Sequence, residues 1–151
     1  MNIEIRKATE KDFPAIYGLI RELAEFEKGL DKVSNTLEQM HEQKDCFECF
    51  VAETEDNEIV GMALYFFTYY TWVGKSFYLE DLYVKEAWRG KGLGTRLMDK
   101  MIEVAKAEKC KRFRLQVLHW NQAAINLYEK SGFTVDKTWY NCDIHDLHSF
   151  D

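Results

Sequence analysis

The chain has 151 residues, 46% hydrophobic and 30% charged, with 4 Trp, 8 Tyr and 10 Phe. That is enough for one globular domain over 1–151, and it excludes disordered, collagenous and low-complexity classes. The formal net charge of −6 argues against a nucleic-acid partner bound by coating phosphates.

The acid is unevenly spread. Residues 1–60 hold 7 Lys/Arg and 15 Asp/Glu, whereas 85–100 carries Lys85, Arg89, Lys91, Arg96 and Lys100 against only Glu86 and Asp99. This suggests a cationic partner on one side and an anionic one on the other, or simply a soluble surface.

In chain order, Ile3 and Ile5 alternate with Glu4 and Arg6 as in a short strand. Thr9 and Asp12 form a capping-box pair, and Phe13, Ile16, Tyr17, Ile20, Leu23 and Ala24 make the seam of an amphipathic helix. Glu27 falls on that seam; either the helix has ended there or its carboxylate is aimed at something. Asn35 with Glu38 begins a second, short helix. Phe47 to Glu53, Glu58 to Tyr70 and Ser76 to Val84 read as three antiparallel strands joined by short turns.

The longest uncharged run, Ile59 to Gly74, is 16 residues and too short for a comfortable membrane span. The charged start fits no signal peptide, so a cytoplasmic protein with reduced cysteines and no membrane partner is expected. Cys46-x-x-Cys49 and Cys142-x-x-His145 have ligand-like spacing, but both fall in predicted strands, where i and i+3 face opposite sides; no metal is expected.

Arg89-Gly90-Lys91-Gly92-Leu93-Gly94-Thr95 then leads into a helix running to about Lys109. Arg112 to Leu118 is a predicted strand, Gln122 to Ser131 a helix, and Phe133 to Val135 and Trp139 to Ile144 closing strands. The order βααβββαβαββ describes an α/β fold with a mixed, mostly antiparallel sheet flanked by helices.

The strongest chemical signal is the segment 89–95. Its glycines permit positive φ and close backbone approach, and amides at a helix N-terminus favour an anion. With the flanking bases this makes a pyrophosphate cradle. It is not a P-loop, since no Gly-Lys-Ser/Thr occurs, and Leu97 stands where a dinucleotide fingerprint needs its third glycine.

Arg89-x-x-Gly92-x-Gly94 after a strand resembles the acetyl-CoA loop of the GNAT acetyltransferases, and the element order matches that fold over nearly the whole chain. Four further segments resemble the diamine (spermidine/spermine) branch: Ile20 to Glu27, Tyr65 to Lys75, Tyr78 to Val84, and Trp120-Asn121 with Ala124 to Tyr128. The Asp-Pro of the animal polyamine enzymes is absent from Tyr70-Thr71-Trp72. The resemblance therefore implies a primary amine of a small cationic substrate, a di- or polyamine or an aminoalkyl amino acid such as lysine or thialysine. It also implies a homodimer. A protein, peptide or xenobiotic amine is the alternative within enzymes, and a non-catalytic acetyl-CoA or polyamine sensor the alternative outside them.

Glu80 and Asp81 interrupt an apolar strand, so at least one enters the interior or a cleft and calls for a cationic partner. The resemblance implies that Glu80 accepts the amine proton through water, while Asp81 and Glu27 hold the distal cation. It places Tyr128 as proton donor to the leaving thiolate. The amides of Leu82, Tyr83 and Val84 are candidates for the pantetheine, with Leu82 N–H on the thioester carbonyl. Asn121, beside Ala124, contacts the pantetheine or caps its own helix. Arg89, Gly90, Lys91, Gly92, Leu93, Gly94 and Thr95 take the diphosphate.

Overall fold

The computed structural model describes residues 2–151. Strands β1 (Ile3–Lys7), β2 (Glu48–Thr54), β3 (Ile59–Tyr70), β4 (Gly74–Val84) and β5 (Phe113–Leu115) form one sheet in sequential order. The first four are antiparallel neighbours and β5 runs parallel to β4. The helices are α1 (Phe13–Phe26), α2 (Leu37–Glu42), α3 (Leu93–Ala107) and α4 (Gln122–Lys130). The chain forms two compact units, one ending at Leu118 with the sheet and α1 to α3, and one from His119 to Asp151 with α4.

The two sheet faces are covered by different helices. Phe13, Ile16 and Leu19 of α1 and Met40 of α2 pack with Val51, Met62, Leu64 and Tyr83. On the other face, α3 buries Leu93, Leu97, Met98, Met101 and Ala105. A Cβ at Gly61 would lie 3.2 Å from Tyr83 O and 3.4 Å from Leu97 Cδ1, so glycine lets α3 approach the sheet there. An aromatic ladder takes one ring from each of β2 to β5: Phe50, Tyr65, Phe77 and Phe113, with successive centroids 6.3, 4.7 and 4.5 Å apart. Such cross-strand pairs add packing beyond simple area burial.

The α/β class and the mixed, mostly antiparallel sheet are as the sequence predicts. Several details differ. The Thr9–Asp12 capping box opens a 3-10 turn, Glu10–Asp12, and α1 follows it. Thr36, not Asn35, caps α2, in a box closed by Gln39. The strand predicted over 112–118 pairs only at Phe113–Leu115. No strand pairing among the described residues includes 133–135 or 139–144, so the two predicted closing strands are absent from the order. Alternation alone does not make a strand; it needs a neighbour to bond, and residues 134–151 lie exposed. Cys142 therefore lies outside any strand, whereas Cys49 is buried in β2 and Cys46 is exposed.

Candidate active site

The α1 C-terminus, β4 and the loop into α3 build the site in the first unit. Helix α1 ends in a Schellman arrangement: Gly29 N–H bonds to Ala24 O at 2.8 Å and Lys28 N–H to Glu25 O at 3.0 Å. Lys28, not glycine, holds the left-handed position at φ 63°. Glu27 is the C-cap residue, so the helix does end there. Its carboxyl nonetheless interacts electrostatically with Glu80 and Asp81.

Strand β4 carries a bulge at this point. Leu64 pairs with Asp81 and Tyr65 with Leu79, which leaves Glu80 without a counterpart on β3. Before the bulge, Phe77 and Leu79 share the aromatic-ladder face with Tyr65. After it, Asp81 and Tyr83 lie opposite Leu64 and Met62, on the α1 face. The simple alternation predicted for Glu80 and Asp81 is thus replaced by an inserted residue that brings Asp81 round to the side of Glu27.

The result is a cluster of three carboxylates. Among the described residues none of the three makes an ion pair. Desolvation raises the Glu80 carboxyl above its ordinary range, and desolvation with repulsion from Glu80 raises that of Glu27. Asp81 is half-buried, and desolvation, then Glu80, then Glu27, push its carboxyl up to about 7. An acidic cluster held this way is poised to receive a cation.

The β4 edge beside this cluster is open. Pairing with β5 stops at Leu79–Leu115, yet β4 continues to Val84. Lys85 N–H bonds to Val60 O on the β3 side at 2.8 Å. Strand alternation therefore turns the amides of Val84 and Leu82 toward the side β5 has left, and that of Tyr83 toward β3. Of the three predicted amide donors, Leu82 and Val84 face the open edge.

Beyond β4, Gly90 (φ 76°) and Gly92 (φ 79°) turn the chain in the left-handed region. Gly92 is the N-cap of α3 and supplies no side-chain cap. The first bond of the helix is Arg96 N–H to Gly92 O at 3.0 Å, so the amides of Leu93, Gly94 and Thr95 precede the intrahelical ladder. With Lys91 exposed beside them, these residues fit a diphosphate. Lys91 Nζ rests 5.2 Å from the Trp88 ring centroid.

The Arg89 side chain turns toward α1. Its Nε donates to Val84 O at 2.9 Å, and its guanidinium lies 5.3 Å from the ring centroids of both Phe26 and Tyr83. The Tyr83 hydroxyl donates to Glu22 Oε1 at 3.3 Å. Sequence reasoning missed Glu22, Phe26 and the Tyr83 side chain. The available signal is the one-turn spacing of Glu22 and Phe26 on the helix that ends at Glu27.

In the second unit, Asn121 Oδ1 accepts from Ala124 N–H at 3.3 Å, so Asn121 caps α4 and engages the Ala124 amide. Tyr128 is half-buried on α4, with its ring edge-on to Phe133 at 5.9 Å. Elsewhere, His41 bonds to Glu10 at 2.9 Å and His148 to Asp151 at 3.0 Å, ordinary surface roles. Among the described residues no cluster of three or more His, Cys, Asp or Glu could hold a metal, and no helix is long and apolar enough to cross a membrane.

This chain belongs to the Acetyltransferase (GNAT) family, whose pattern it matches over residues 6–133, and it is a GNAT-type N-acetyltransferase. It is 42% identical over 139 residues to the mouse thialysine N-epsilon-acetyltransferase, covering 85% of this chain and 82% of that one. It is 29% identical over 138 residues to the Bacillus subtilis spermine/spermidine N(1)-acetyltransferase, covering 88% of each. The crystal structure of a transcriptional regulator from Bacillus halodurans superposes with a TM-score of 0.78 at 27% identity, covering 96% of this chain and 100% of that one.

Proposed function

We propose that the protein moves an acetyl group from acetyl-CoA to a primary amine of a small cationic substrate, a di- or polyamine or an aminoalkyl amino acid such as lysine or thialysine. The observation that carries this reading is the cluster of Glu27, Glu80 and Asp81, without an ion-pair partner, beside the open β4 edge. The names of the mouse and Bacillus relatives support the same substrate class.

The main chemical difficulty is the substrate's proton. A primary alkyl amine has a pKa near ~10.4, so about one molecule in 2,500 is a free nucleophile at pH 7. Glu80, raised above the ordinary carboxylate range, is a better acceptor than a solvated glutamate and takes the proton through water. Asp81 and Glu27 hold the distal cation. Leu82 N–H polarises the thioester carbonyl. The amine nitrogen then attacks the carbonyl carbon directly in a ternary complex. The C–N bond forms, the C–S bond breaks, the electron pair leaves on sulfur, and the new amide nitrogen sheds its second proton to water.

Tyr128 returns a proton to that thiolate. Transfer from a phenol near ~10 to a thiolate near ~8.5 is uphill by about 2 kcal/mol, so the step depends on positioning. The loop 89–95 holds the diphosphate, and Asn121 and Ala124 complete the cofactor contacts. Residues 1–151 act as one catalytic domain of a cytoplasmic homodimer.

A thiol-release screen over spermidine, spermine, putrescine, lysine, thialysine and an N-terminal peptide tests the proposal. Turnover of a small amine carrying a second charge is the expected result. Activity on none of them overturns it in favour of a sensor, and preference for the peptide overturns the substrate class.

A further inference from the structure

Arg89 joins two regions that the reaction needs at the same moment. It immediately precedes Gly90, where the chain enters the left-handed turns of the anion loop. Its side chain, however, turns back toward α1. One nitrogen is committed to Val84 O, and the guanidinium carbon lies 5.3 Å from the ring centroids of both Phe26 and Tyr83. A cation near an aromatic face is attracted by the ring quadrupole, and a guanidinium that meets two rings and a carbonyl has a defined seat.

Phe26 is the last residue of α1, and the next residue is Glu27. One turn earlier, Glu22 accepts from the Tyr83 hydroxyl. The last turn of α1 is therefore fastened to the end of β4 and to the base of the loop at two points. Tyr83 is 8% exposed and sits in the α1-side core, so that anchor is fixed. Phe26 is 41% exposed, and the Arg89 guanidinium lies beside its ring.

We propose that Phe26 is a positioning residue: with Tyr83 and Arg89 it couples the filling of the anion loop to the placement of Glu27, so that cofactor and amine bind cooperatively. The inference rests on the acetyl-CoA reading above. A diphosphate held by the loop fixes Arg89, the fixed guanidinium seats the Phe26 ring, and the last turn of α1 then presents Glu27 to the amine alongside Glu80 and Asp81. By linkage, the amine tightens cofactor binding by the same factor.

Calorimetric titration of CoA into the protein, with and without saturating thialysine or spermidine (whichever the screen shows to be turned over), measures the coupling directly. In the unmodified protein the amine should tighten CoA by about fivefold or more. Phe26→Leu keeps an apolar side chain on an exposed position, so folding is not at stake. It should reduce the coupling to less than about twofold and raise the amine KM about fivefold, with kcat little changed. Phe26→Trp keeps an aromatic face for Arg89 and should restore both. Phe26→Leu with unmodified coupling and amine KM overturns the inference alone, as does a protein that binds CoA and amine independently. A protein that binds no CoA overturns the functional reading and the inference with it.

Discussion

Replacing Asp81 with Asn removes a carboxyl that the folded protein holds against its own preference. Moving that carboxyl from its usual 3.8 to about 7 costs the ionised folded state roughly 4 kcal/mol, an upper bound because the site relaxes. The sign follows from the direction. With the folded pKa above the unfolded one, the folded state binds more protons between about pH 4 and 7, so the parent protein loses stability as pH rises through that window. Asn carries no such dependence. Asp81→Asn should therefore match the parent near pH 4 and exceed it by a few kcal/mol at pH 8, with each kcal/mol worth about 2–4 °C in a domain of this size. Urea and thermal unfolding at pH 5, 6, 7 and 8 measure the difference. The same variant should raise KM for diamines more than for monoamines, because only the diamine has a second cation for Asp81 to hold. A stability gain independent of pH, or no gain at pH 8, refutes the reasoning that crowding and desolvation of Glu27, Glu80 and Asp81 set the cluster's energetics.

Tyr128→Phe should cut turnover at least about tenfold while leaving CoA affinity nearly unchanged, as steady-state rates and calorimetry would show. Gly92→Ala meets no steric contact but must hold φ 79°, so it should destabilise by about 1–2 kcal/mol in chemical denaturation and weaken CoA, with Gly92→Asn milder in both. Asp12→Ala should cost about 2 kcal/mol, because the Arg6 fork loses its bonds to Asp12 at 2.8 and 2.9 Å and keeps only Glu53, at 3.0 and 3.2 Å. The bonds from Arg6 hold the Asp12 carboxyl below its usual range. Its contribution is thus present above about pH 4 and fades as pH falls through the lowered folded value, which an acid-unfolding series would follow.

What the sequence discloses about this molecule depends on how local the cause is. The loop 89–95 is legible because positive φ at Gly90 and Gly92 and a bare helix N-terminus are properties of adjacent residues. The α1 seam is legible for the same reason, since its period places Phe13 and Ile16 inward, although it passes over Leu19, which is buried beside them. The bulge at Glu80 is not, because it exists only in the pairing of β4 with β3. Nor is the seat of Arg89: a basic residue beside a phosphate loop suggests a phosphate ligand, and only the fold reveals Phe26 and Tyr83 beside it. Residues 133–135 and 139–144 show the opposite failure, with a strand-like pattern that enters no strand pairing among the described residues.

The inserted residue of β4 has a consequence for how this strand tolerates change. Another side chain at position 80 leaves the register as it is, because the backbone still counts one extra step. Deleting the residue is a different operation. The ladder would close up with Leu79 opposite Tyr65 and Asp81 opposite Leu64 as before, so Asp81 and Tyr83 would keep the α1 side, but the strand would lose the one position that stands outside its alternation. The bulge thus adds a carboxylate to the strand without taking a place from either face.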